Sequence, residues 1–207
     1  MKQFIVALLA AVAGGFAGAF LAMNVAAPAA NAADAYIAAN RAEVERMVLE
    51  DVEKYGVDIY RLFLEISQAL PGLPGSDFAV DKAVKKLAVT FPESNTRRIA
   101  EAHVVYGAIR KRDMLQIERY LEEAEKAGPQ KRFMPNGYEI EPQLVTAQFN
   151  YYFHIGRFDE ASKTLDYLAA KYGDCFVFQP QGKPLSITDF ISTQRRVLAI
   201  IMRKESK

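Results

Sequence analysis

The stretch that decides the fold is Leu144 to Gly173, LVTAQFNYYFHIGRFDEASKTLDYLAAKYG. It reads as two amphipathic helices joined by a tight turn at Ile155-Gly156-Arg157. Val145, Phe149, Tyr152 and Phe153 recur at three- and four-residue steps before the turn, and Phe158, Ala161, Leu165 and Leu168 do so after it. That spacing puts each set on one face of a helix with 3.6 residues per turn. Gly156 is suited to the left-handed conformation that ends a helix, and Gly173 is expected to close the second helix in the same way.

The turn glycine, the aromatic Phe158 two residues later, the small Ala161 and the inward Leu165 and Leu168 resemble one tetratricopeptide repeat. The resemblance covers about one-sixth of the chain and implies an interaction scaffold. Gly173 stands where that family prefers a closing proline, and Phe149 where it prefers a small residue. Sliding the chain 44 residues against itself places Arg112 on Gly156, Met114 on Phe158, Ile117 on Ala161, Leu121 on Leu165 and Ala124 on Leu168. Two units, about residues 98–128 and 142–173, thus match weakly. A single internal match is compatible with a true repeat pair and with a generic α-hairpin bundle.

Working outward, the chain reads as all-α. One helix begins near Tyr36, with Ile37, Val44, Met47, Val48, Val52 and Tyr55 on its apolar stripe, and Gly56 ends it. A second runs from Asp58 to Leu70 and is stopped by Pro71-Gly-Leu-Pro-Gly75. Ser76-Asp77 opens a third, which ends at Phe91-Pro92. Ser94 or Asn95 caps a long helix through Ile99, Ala102, Val105 and Ile109. After Arg112-Asp113 a further helix presents Leu115, Ile117, Leu121 and Ala124. Residues 130–142, with two prolines, an Asn-Gly signal and the apolar Phe133, Met134, Tyr138 and Ile140, read as a loop laid over the core, with a contact surface as the alternative. Phe176 to Gln179 reads as extended, and Ser186 with Asp189 opens a final helix burying Ile187, Ile191, Val197, Leu198 and Ile201.

The N-terminal 32 residues have a different composition. Lys2 precedes an unbroken apolar and small-residue run from Phe4 to Met23, and Ala30-Asn31-Ala32 follows Pro28 as a small-x-small cleavage pattern. This is a bacterial-type secretory signal. A retained transmembrane anchor is the competing reading, since the run has the length of about 20 residues that a bilayer requires. Gly14 and Gly18 would then form a small-xxx-small face for packing on another helix. Either reading puts the body outside the cytoplasm, in the periplasm, free or held to the inner membrane. Residues 33–75 form a helical hairpin and 76–207 a repeat-like region, together one compact unit. The segment Asn40 to Ile66, NRAEVERMVLEDVEKYGVDIYRLFLEI, resembles the helical preamble of some exported disulfide oxidoreductases. No Cys-x-x-Cys follows, so that resemblance implies export context and not redox chemistry.

Charge and chemistry narrow the function further. Without residues 1–32 the chain carries 25 basic and 25 acidic side chains, so no global field draws it to nucleic acid. The clusters Arg97-Arg98, Arg110-Lys111-Arg112 and Lys131-Arg132 are interleaved with acids, unlike a nucleic-acid-binding stripe. His103 and His154 are far apart in sequence, no zinc or calcium motif occurs, and no cofactor or metal is expected. Cys175 is the lone cysteine and is expected to be buried. A Cys175–His154 dyad is conceivable, but His154 lies in the run Tyr151-Tyr152-Phe153 and reads as a packed helix position.

The expectation is an exported, non-enzymatic scaffold, an accessory subunit binding other proteins in an envelope assembly. Tyr106, Arg110, Asn150, Tyr151, His154 and Arg157 are its expected partner-binding residues, flanking the inner helices of the two hairpins. A cell-wall or peptide hydrolase is the alternative, marked by a buried carboxylate of raised pKa in a cleft. A scaffold is marked instead by exposed apolar surface. In a third version the Gly14/Gly18 helix is the main contact.

Overall fold

The computed structural model describes residues 32–68, 76–128, 130–178 and 183–205. Within them the chain is all-α, with eight helices and one short two-stranded ribbon. In order they are α1 (Ala32–Tyr55), α2 (Val57–Gln68), α3 (Ser76–Thr90), α4 (Asn95–Lys111), α5 (Met114–Lys126), α6 (Ile140–His154), α7 (Phe158–Tyr172), β1 (Phe176–Val177), β2 (Leu185–Ser186) and α8 (Ile187–Glu205). Every helix packs on the next, and α4 also packs on α1, α2 and α6. The strap between α5 and α6, residues 130–139, bonds to α1 through Tyr36–Glu139 and Arg41–Asn136.

The boundaries have local causes. Gly56 between α1 and α2, and Gly156 between α6 and α7, have φ of 87° and 77°, where a β-carbon is strained. Ser94 caps α4 by accepting from the Arg97 N–H, and Asp113 caps α5 by accepting from Gln116. Arg112 takes a left-handed conformation at the end of α4, φ 53°, although it is not glycine. Gly173, by contrast, is right-handed at φ −53°, so the expected left-handed closure of α7 does not occur. Its carbonyl accepts instead from Thr188 Oγ1 at the start of α8.

Helix α6 begins at Ile140, earlier than the proline pattern predicts, because Pro142 falls in the first helical turn. There the missing N–H has no intrahelical acceptor to lose. The extended reading of Phe176 holds for Phe176–Val177, which pairs antiparallel with Leu185–Ser186.

Four apolar clusters form the interior. Val145, Phe149, Leu165, Leu168, Ile187 and Phe190 join α6, α7 and α8. Ala102, Ile117, Met134, Ile140 and Leu144 join α4, α5 and α6 through the strap. Ile59, Leu62, Ile66 and Leu87 bind α2 to α3, and Val44, Val48, Ile99 and Phe133 seat α1 on α4. Phe149 is fully buried with its ring edge-on to Phe190, 5.4 Å between centroids. Its truncation to alanine would cost about 3–5 kcal/mol.

Two apolar expectations fail. Leu115 is 79% exposed, and Val197 lies at the solvent margin of α8. Leu115 sits in the first turn of α5, and the buried stripe of that helix begins at Ile117.

Candidate functional site

The expected partner-binding residues separate into two groups. Asn150, Tyr151 and His154 are exposed on the last turns of α6, and Arg157 is exposed in the turn that follows. The Arg157 guanidinium lies 5.0 Å from the Tyr152 ring centroid and pairs with Glu160 at 2.6 Å. The Tyr151 and Tyr152 rings are 5.8 Å apart, and the Tyr152 hydroxyl donates to Glu118 of α5 at 3.1 Å. Tyr106 on α4 is half-buried and meets Phe178 edge-on at 6.4 Å. Arg110 lies on the last turn of α4, one turn beyond Tyr106, and its side chain is not among those described. Gly14 and Gly18 fall outside the described residues, as does the run 4–23. Among the described residues no helix is long and apolar enough to cross a membrane.

The histidine and cysteine are not brought together. His154 is exposed, contrary to the packed position expected of it, because the apolar arc of α6 ends at Phe153. Cys175 is buried against Tyr36 and Glu139 at the other end of α6. Burial, and then the Glu139 carboxylate, push its thiol up to about 11. A thiol held protonated is a poor nucleophile.

Sequence reasoning missed a polar layer between α1 and the strap. The buried Glu139 carboxylate accepts from Lys131 Nζ at 2.8 Å and from the Tyr36 hydroxyl at 3.1 Å. Burial and that carboxylate raise the Tyr36 phenol, while the Glu139 bond raises the Lys131 ammonium. Two residues on, buried Glu141 binds Arg132 at 2.7 Å. Burial raises the Glu141 carboxyl above the usual carboxylate range, with Arg132 opposing. On α1, buried Asp51 accepts from the Asn95 and Thr96 amides and the Thr96 hydroxyl, at 3.2, 2.6 and 2.7 Å. The alternation Glu139-Ile-Glu141 beside Lys131-Arg132 is the signal that could have revealed part of this layer.

Beside the layer is an open cavity of about 420 Å³ between α1, the first turn of α4 and the strap. Met47 and Phe133 supply its apolar lining; three cations, Arg46, Arg98 and Lys131, two carboxylates, Glu43 and Glu50, and the amides of Asn40, Asn95 and Gln130 supply its polar lining. Neither Glu139 nor Glu141 lines it. Among the described residues no group of three metal-ligating side chains is present.

Comparison with protein-family models, with curated proteins and with solved structures finds no match to this chain.

Proposed function

We propose that the chain is an exported, non-enzymatic scaffold built from tetratricopeptide-like hairpins, an accessory subunit that docks another protein of a bacterial envelope assembly. The supporting observation is the packing of α4 directly on α6, while α5 and α7 follow each as the second arm of its hairpin. Alternate helices in contact give two neighbouring inner faces, and a partner helix or extended segment docks along such a surface. Tyr106 and Arg110 lie on one of these helices; Asn150, Tyr151 and His154 lie on the other, with Arg157 in its following turn.

The apolar side chains left in water at this end of the hairpins add to the reading. Ile155 is 45% exposed and Tyr151 37% exposed, so their burial by a partner would be favourable. The hydrolase alternative has less support. Its mark is a buried acid opening on a cleft, whereas Glu141 is bound by Arg132 and lies outside the cavity lining. In this account residues 4–23 serve as export signal or inner-membrane anchor, and the body lies in the periplasm.

A photo-reactive amino acid at position 154 in living cells tests the docking. The account expects a discrete cross-link to one envelope protein, and none from position 86 on the exposed side of α3. Equal labelling from both positions, or none at 154, would refute it.

A further inference from the structure

We propose that the cavity between α1, α4 and the strap binds a small organic monocarboxylate, through Arg98, Lys131 and the amide of Asn40. This site is separate from the docking surface of the preceding reading, since it lies at the opposite end of α4 from Tyr106 and Arg110. It is an open depression of about 420 Å³, roomy enough to admit a small organic ligand and not only water.

The two carboxylates of the lining are already paired, which leaves its unspent charge cationic. Arg46 is already neutralised, bound to Glu43 at 2.6 Å and also to Glu50. Arg98 makes no ion pair with any described side chain, which leaves one uncompensated guanidinium in the lining. Lys131 gives one hydrogen bond to Glu139, and an ammonium has three to give.

Asn40 is the second, independent observation. It is only 7% exposed, it lines the cavity, and its Nδ2 has no hydrogen-bond acceptor. The Tyr36 hydroxyl beside it donates to Glu139, and the amide's interaction with that oxygen opposes the rise of the phenol without meeting hydrogen-bond geometry. A buried amide without an acceptor destabilises the free protein.

One free cation, an amide donor and spare ammonium protons call for a singly charged acceptor. A planar carboxylate fits a guanidinium through two parallel hydrogen bonds. Glu43 and Glu50, which line the same cavity, disfavour a doubly charged phosphate. Met47 and Phe133 offer an apolar surface to the rest of the ligand, so an aryl or branched alkyl carboxylate fits better than acetate.

The test is calorimetric titration of the full chain in mild detergent with benzoate and, separately, with benzamide. Benzoate is expected to saturate one site in the millimolar range or below, at least about tenfold tighter than benzamide. Arg98→Gln, an exposed change with no ion-pair partner among the described residues to lose, should weaken benzoate about tenfold and leave Tm unchanged. Asn40→Leu should weaken benzoate while Tm holds or rises, because the unpaired amide is gone. A short peptide ending in phenylalanine, with a free or an amidated C-terminus, separates the sources. Tighter binding of its free acid than of benzoate assigns the site to a partner's C-terminus; weaker binding assigns it to a free metabolite. Equal binding of acid and amide, no saturation, or full affinity in Arg98→Gln would overturn the proposal.

Discussion

At Gly137 the strap comes closest to α1. Its φ is 85°, and a β-carbon there would stand 2.7 Å from Arg41 Cγ, 3.1 Å from the Arg41 amide and 3.2 Å from the Ile37 carbonyl. Gly56 has nearly the same φ, 87°, but open space around it. Gly56→Ala should therefore cost only the left-handed strain, about 1 kcal/mol, and Gly137→Ala about 2–4 kcal/mol with the collision added. Urea unfolding of the two variants measures the difference, and equal losses would show that the strap gives way freely. Cys175 makes a second prediction at this scale. Because its folded thiol titrates above its ordinary value, that stabilisation is whole below about pH 9 and is lost as pH rises through about 11. Stability should fall over that window less steeply in Cys175→Ala than in the native chain. At pH 8 the thiol should react with a disulfide reagent only as fast as the protein opens; prompt stoichiometric reaction would contradict its burial. Of these features the sequence showed the buried Cys175, through its apolar neighbours. It did not show the collision at Gly137, which depends on a helix about a hundred residues away.

Among elements, α4 is held at its start by two acceptors from different places. Ser94 is local and legible as a cap, whereas Asp51 comes from α1, 45 residues before its partner Thr96, and nothing in its own helix marks it. Asp51 is 4% exposed and takes three hydrogen bonds, so Asp51→Ala should cost about 2–4 kcal/mol by leaving buried donors unpaired. Ser94→Ala should cost about 1 kcal/mol. Thermal unfolding of both variants checks the order, and a larger loss at Ser94 would show that the α1 contact is incidental. Arg132→Met should be as severe as Asp51→Ala, because it leaves Glu141 buried without its cation. The hairpin α6–α7 was the most legible element, since periodicity and a turn glycine agree there. Leu115, Val197 and Gly173 misled because a residue type names a preference, while the end of a stripe or the start of the next helix decides its exposure.

For the molecule as a whole, the helical class and most boundaries were readable because Gly, Pro and capping residues fall between periodic segments. The order in which helices pack was not readable, because α4 touches α1, α2 and α6 through side chains with no sequence register between them. The candidate docking residues were chosen by register alone; Asn150, Tyr151, His154 and Arg157 do reach solvent, while Tyr106 is half-occupied by Phe178. The polar layer and its cavity lay hidden, since Glu139 and Glu141 look solvated in sequence and are buried only where the strap and α6 meet their partners. The double change Tyr151→Ala with Arg157→Glu should leave folding within about 1 kcal/mol of the native chain, as exposed positions do. The most direct test of the scaffold account is purification of the native and doubly substituted chains from their own membranes in mild detergent, with mass spectrometry of everything recovered. The account predicts a fixed set of envelope proteins with the native chain and their loss from the folded double variant. Recovery of the native chain alone, or the same companions with both chains, would contradict it.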